Sequence, residues 1–65
     1  MDKELKNIIE TELCIKRSIS NLNELKRKAA EKGFDTKVES IQQLIDESFE
    51  HLDKIEKLRK EKINI

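Results

Sequence analysis

The chain of 65 residues contains one glycine, Gly33, close to its middle, and no proline. On each side of this glycine, apolar residues recur at intervals of three, four or their sum, the spacing that places side chains on one face of an α-helix. The first series is Leu5, Ile8, Ile15, Ile19, Leu22 and Ala29, and the second is Val38, Ile41, Ile45, Leu52 and Ile55. The pattern predicts two long helices, and no alternation typical of β-strands appears.

The segment AAEKGFDTKVE between the two series carries signals that end one helix and begin another. Glycine adopts a left-handed conformation without a Cβ penalty, so Gly33 predicts the end of the first helix, with the apolar Phe34 folding back onto its last turn. Thr36 and Glu39 have the spacing of a capping box, which predicts that Thr36 caps the second helix.

We therefore expect helices over about 2–32 and 37–62, joined by a turn at 33–36, in a single domain over 1–65. Short connections make neighbouring helices antiparallel, so the expected fold class is all-α, an antiparallel two-helix hairpin. Scaffolds of this size usually need a disulfide, a metal or an oligomer for stability, and one cysteine excludes an internal disulfide.

The apolar series of the second helix is wider than one partner helix needs, because further apolar positions spread it over roughly half the circumference. These positions are Leu44, Phe49, Leu58 and Ile63. We expect a homodimer in which two hairpins pair into a four-helix bundle with coiled-coil-like packing. The alternative is docking onto a different protein.

Polar residues interrupt the expected contact between the helices. Counting outward from the turn places Glu12 near Ile55 and Arg59, and Lys26 opposite the start of the second helix. Glu12 and Arg59 are interpreted either as edge residues whose stems cover apolar surface or as a pair that fixes register at the open end of the hairpin.

Composition narrows the classes of partner and compartment. Fourteen basic and fourteen acidic residues give a net charge of zero. This balance does not indicate nucleic acid or an anionic membrane as a partner. The longest apolar run is three residues, whereas a transmembrane helix needs about 20, and no signal peptide is visible. A single cysteine fits a reducing compartment, so we expect a cytoplasmic protein.

Few residues are suited to chemistry. His51 has Glu47 four residues before it, but two ligands do not make a metal site. Cys14 is expected to be a small buried hydrophobe, and no catalytic triad or glycine-rich phosphate loop is present. We expect no metal and no cofactor. The sequence favours a protein without enzymatic activity over an enzyme.

Two surface features are candidate binding sites. Ile9 and Leu13 lie four residues apart, away from the main apolar series, and form a small apolar spot. Asp46, Glu50 and Asp53 form an acidic side of the second helix. The leading interpretation is a small protein–protein interaction module, a regulator, inhibitor, adaptor or co-chaperone, that associates with itself and with another protein.

Residues 24–47, ELKRKAAEKGFDTKVESIQQLIDE, resemble the small sporulation phosphatases that act on aspartyl-phosphate response regulators. That family is a two-helix hairpin with a similar turn and an S-Q-x-L-D motif on its second helix. The aligned stretch here is 42–46, in which Gln43 and Asp46 match the motif, Gln42 replaces its serine and one residue must be deleted before it. The resemblance implies that Gln43 and Asp46 face the phospho-aspartate and orient the attacking water.

A further alternative is an RNA-binding helical-hairpin dimer, because basic residues crowd the turn. They are Lys26, Arg27, Lys28, Lys32 and Lys37. These residues point around the whole first helix, and the chain has no Tyr or Trp for base stacking. Nucleic acid is therefore not the expected partner.

Overall fold

The computed structural model describes residues 2–63, which form two antiparallel α-helices. The helices are α1 (Lys3–Glu31) and α2 (Asp35–Ile63), each of 29 residues, and together they make a rod about 49 Å long. At the start of α1, a side-chain oxygen of Asp2 accepts a hydrogen bond from the backbone N–H of Glu4 at 3.1 Å. The predicted all-α hairpin is confirmed.

The turn is built on Gly33, which has φ of +77°. The N–H of Gly33 donates to the carbonyl of Ala30 at 3.1 Å, and the N–H of Phe34 donates to the carbonyl of Ala29 at 3.0 Å. These are the two hydrogen bonds of a Schellman motif, which satisfies carbonyls that the end of a helix leaves free. The predicted role of the glycine is therefore confirmed.

The start of α2 differs from the sequence-based expectation. The helix begins at Asp35, because the N–H of Val38 already donates to the carbonyl of Phe34 at 3.0 Å. Thr36 thus lies inside the first helical turn, and its predicted role as N-cap of a capping box with Glu39 is wrong. The Schellman motif leaves the backbone of Phe34 in position to start the next helix, so the connection is shorter than the predicted 33–36.

Sixteen residues at alternating intervals of three and four form the seam between the helices, and each of them is buried or half-buried. In α1 they are Leu5, Ile8, Glu12, Ile15, Ile19, Leu22, Lys26 and Ala29, and in α2 they are Val38, Ile41, Ile45, Ser48, Leu52, Ile55, Arg59 and Lys62. Ile45, at 3% exposure, is the most buried side chain of the core. Both predicted apolar series lie in this seam.

Within residues 2–63, the hairpin leaves seven large apolar side chains about half exposed. They are Leu13, Leu25, Phe34, Leu44, Phe49, Leu58 and Ile63. The four predicted to widen the apolar series of α2 are all among them, since a single neighbouring helix covers only a narrow stripe. Pairing of two hairpins into a four-helix bundle stays a prediction.

Candidate functional site

One buried ion pair crosses the seam near the open end of the hairpin. The Arg59 Nε donates to Glu12 Oε2 at 2.7 Å, and Lys16 Nζ lies 3.3 Å from the other carboxylate oxygen. Glu12 is only 6% exposed. A buried carboxylate needs a partner of this kind because its hydration is lost. Counting from the turn predicted that Glu12 lies close to Arg59, and this prediction is confirmed.

A second ion pair closes the open end. Lys62 Nζ donates to Glu4 Oε2 at 2.7 Å. This hydrogen bond is the main cause that raises the pKa of Lys62 above its ordinary value of 10.5, and the charges of Glu4 and Asp2 add to the effect. The pair brings the two ends of the described chain together.

A third polar connection lies closer to the turn. Lys26 Nζ donates a short hydrogen bond to Gln42 Oε1, and Gln42 Nε2 donates to Asp46 Oδ1 at 2.9 Å. The chain of contacts runs from the seam to the surface of α2 and orients the Asp46 carboxylate. Sequence reasoning placed Lys26 opposite α2 but missed Gln42 as the residue it contacts.

The outer surface of α2 carries the remaining predicted polar site residues. Gln43 and Asp46 are exposed and lie three residues apart, so they are neighbours on the helix. Glu50 and Asp53 are exposed as well. Between positions 38 and 53 the chain has no lysine or arginine, so this surface is acidic.

One side of the hairpin, which we call the phenylalanine face, presents Ile9, Leu13, Phe49 and Ile63. Ile9, Leu13 and Ile63 line one groove at the open end, together with Lys16. Leu13 is 50% exposed, as its helical angle predicts, while Ile9 is half-buried. Ile63 was not among the predicted site residues, although its position two seven-residue repeats after Phe49 places both in one row of α2.

The opposite side, which we call the histidine face, presents two rows of exposed residues. The row on α1 is Thr11, Ser18 and Leu25, and the row on α2 is Leu44, His51 and Leu58. Thr11, Ser18 and His51 line an open groove. Cys14 lines the same groove and is exposed, so the prediction that it is buried is wrong. Its position one residue before Ile15 turns it away from the seam.

The groove holds no group of metal ligands. Across residues 2–63, no three His, Cys, Asp or Glu side chains come together in a way that could hold a metal ion. Glu47 and His51 therefore have no third ligand within the described part of the chain.

The basic residues near the turn are divided among different contacts. Lys26 is engaged with Gln42, and Lys28 Nζ lies 3.9 Å from a Glu24 oxygen. Lys37 Nζ lies 4.9 Å from the centre of the Phe34 ring, a cation–π contact.

Comparisons with known proteins return no relatives for this chain: no family model matches it, and neither a curated protein nor a solved structure is significantly similar. Within residues 2–63, neither helix has an apolar stretch of the length needed to cross a membrane.

Proposed function

We propose that the chain is a non-enzymatic protein–protein interaction module that binds a helix of another protein on its phenylalanine face. The observation that carries the proposal is the exposure of Leu13, Phe49 and Ile63, each about half accessible. Leu13 and Ile63 line one groove together with Ile9, and an apolar surface of this kind marks a protein contact site more often than isolated apolar side chains do.

The chemistry around this face indicates the kind of helix it accepts. Asp46 and Asp53 lie three and four residues from Phe49 on α2, so the surface around Phe49 has an acidic border, whereas Lys16 and Arg59 line the groove at the open end. An amphipathic helix with apolar anchors at intervals of three and four, and with basic residues only near the part that contacts Phe49, complements both features. The groove between Leu13 and Ile63 is the pocket for the first anchor.

The test is the substitution Leu13→Lys, read by affinity capture from the source cells and by circular dichroism. It replaces an apolar anchor contact by a charge, so we expect loss of a stoichiometric partner with helicity unchanged. Ser20→Lys is the matched control, because it adds the same charge in the same row of α1, one repeat further on. Equal capture by the Leu13 and Ser20 variants would contradict the proposal.

A second candidate function rests on Gln43 and Asp46. Both are exposed neighbours on α2, and Asp46 is oriented by Gln42. In the phosphatase function that the sequence resemblance implies, these side chains orient a water molecule that attacks the phosphorus of a phospho-aspartate. The acyl phosphate P–O bond breaks, which releases inorganic phosphate and the free carboxylate.

This second function is tested by following phosphate loss from a purified phosphorylated response regulator. Acceleration that disappears in Gln43→Ala and Asp46→Ala, but persists in Asp53→Ala, supports it. Asp53→Ala is matched because it removes another exposed carboxylate of α2. A phosphate half-life that is unchanged by the wild-type protein speaks against this function and leaves the interaction module.

A further inference from the structure

The histidine face differs from the phenylalanine face in the symmetry of its residues. On α2, Leu44 and Leu58 lie seven residues before and seven residues after His51, in one exposed row. The two leucines are about equally accessible, at 50% and 46%. A row with equal apolar residues at equal distances from its centre matches a reversed copy of itself.

We propose that the histidine face binds a second copy of this chain, with the two copies related by a two-fold axis that passes beside His51. In this arrangement α2 packs antiparallel to α2 of the second copy, and His51 lies opposite its own counterpart. Leu44 then contacts Leu58 of the second copy, and Leu58 contacts Leu44, so both exposed leucines are covered. The two hairpins together form a four-helix bundle.

Charge complementarity supports the same register. Glu47 lies four residues before His51, and Lys54 lies three residues after it. Reversal about His51 places Glu47 within one residue, about 1.5 Å along the axis, of Lys54 in the second copy. The two-fold axis repeats this contact, so two pairs of opposite charge flank the centre.

The row on α1 fits the same axis. Ser18 and His51 line one groove, and the proposed axis passes beside both residues. Reversal about Ser18 places the small Thr11 opposite the larger Leu25, and it places Glu4 opposite Lys32 of the second copy. The centre thus brings small or neutral side chains together, which allows close approach of the two hairpins.

The phenylalanine face does not match itself in this way. A two-fold axis that pairs Phe49 with Ile63 passes beside Glu56, so it brings two Glu56 carboxylates together. An axis beside Phe49 pairs Phe49 with itself but leaves Ile63 opposite Asp35. Like charges or an apolar residue opposite a charge oppose pairing, so this face suits a different protein.

The inference rests on the proposed function, because it assigns one of two interaction faces to self-association. The test is a charge swap measured by sedimentation equilibrium. Glu47→Lys and Lys54→Glu each place like charges together twice per dimer, so we expect each to raise the dimer Kd about tenfold. The double variant restores both pairs, and its Kd should return to within about threefold of the wild-type value.

Glu50→Lys is the matched control, since it makes the same change on an exposed position of α2 outside the face. Its dimer Kd should stay at the wild-type value. A wild-type protein that sediments at 7.7 kDa up to about 100 µM, or a double variant as weak as the single variants, would overturn the proposal.

A spin label at Ser40, introduced as cysteine in a Cys14→Ser background, tests the direction of pairing. Ser40 lies eleven residues from His51, so the antiparallel register separates the two labels by about 33 Å along the axis. A separation near 10 Å would mean parallel helices and would overturn the proposed register.

The outcomes for the two faces are separable. A monomer that still captures its partner overturns only the second copy on the histidine face. A dimer whose charge swap behaves as expected, but which captures no partner, supports the histidine face and counts against the phenylalanine face.

Discussion

The two ends of the hairpin are held together by different means. At the turn end, the chain itself joins the helices, and the Schellman motif at Gly33 fixes where one ends and the next begins. At the open end, no covalent connection exists within residues 2–63, and two ion pairs join the helices, Glu12 with Arg59 and Glu4 with Lys62.

The difference shows how a sequence with few apolar residues defines one alignment of two long helices. Apolar side chains pack against one another in several registers, because dispersion and burial are not directional. A buried carboxylate on one helix is paired only when a cationic side chain of the other helix lies at the same level along the hairpin. We infer that apolar burial along the whole seam supplies most of the stability, whereas the ion pairs select the register far from the turn.

The largest expected effect is in the apolar core of the seam. Ile45→Ala should lower the free energy of unfolding by about 2–4 kcal/mol, because it removes buried methyl groups and leaves a cavity. Ile63→Ala is the matched control at the open end, where the same side chain is 57% exposed, and it should cost less than about 1 kcal/mol. Urea unfolding followed by circular dichroism measures both, and equal losses would contradict the assignment of Ile45 to the core.

The next effect concerns the buried ion pair. Arg59→Met should destabilise the hairpin by about 1–2 kcal/mol, since it leaves Glu12 with only Lys16 nearby. Replacing Glu12 by leucine as well should recover most of that loss, so a double-mutant cycle should give a coupling of at least about 0.5 kcal/mol.

The exposed pair Glu24 and Lys28 is the control for this cycle. Its oxygen and nitrogen are 3.9 Å apart and both side chains are exposed, so its coupling should lie near zero. If the cycle of Glu12 and Arg59 also gives a coupling near zero, the two side chains only cover apolar surface, and register is set elsewhere.

A smaller effect is expected at Gly33. A Cβ built on Gly33 meets no atom within 4 Å, so Gly33→Ala encounters no steric obstacle beyond its own backbone. The left-handed φ alone should cost about 1 kcal/mol. Gly33→Asn should cost less, because asparagine tolerates this conformation better than alanine. Thermal unfolding of the two variants checks this order, and an unchanged midpoint for alanine would show that the turn adopts another backbone.

These regions also differ in how well the sequence predicts them. The spacing of apolar residues predicts both helices, and counting from Gly33 places Glu12 beside Arg59, because helical rise fixes the level of every residue in an antiparallel pair. The predicted start of α2 was wrong. The carbonyl of Phe34 accepts the first hydrogen bond of the helix, from the N–H of Val38, whereas the capping box predicted that the helix starts at Thr36.

Side-chain contacts at the surface were harder to predict. The presence of Ile63 in the groove that Leu13 lines depends on how far α2 continues, which the sequence leaves uncertain by a few residues. The contact of Lys26 with Gln42 depends on the rotamers of two long side chains. The identity of a partner leaves no periodic signal, so only the type of surface is predictable.

The smallest expected effect tests the outermost ion pair. Its hydrogen bond raises the pKa of Lys62 above 10.5, which means that folding favours the protonated amine. The contribution of the pair to stability is therefore fully present below pH 10.5 and is lost as the pH rises through the raised pKa. A nuclear magnetic resonance titration of the lysine side chains should show Lys62 deprotonating with a midpoint above pH 10.5. In the Glu4→Gln variant, the Lys62 titration should move to lower pH, because the hydrogen bond to the carboxylate is lost. If Lys62 titrates at the same pH in the wild-type protein and in Glu4→Gln, Glu4 does not hold it in solution, and Glu12 with Arg59 is then the outermost contact between the helices.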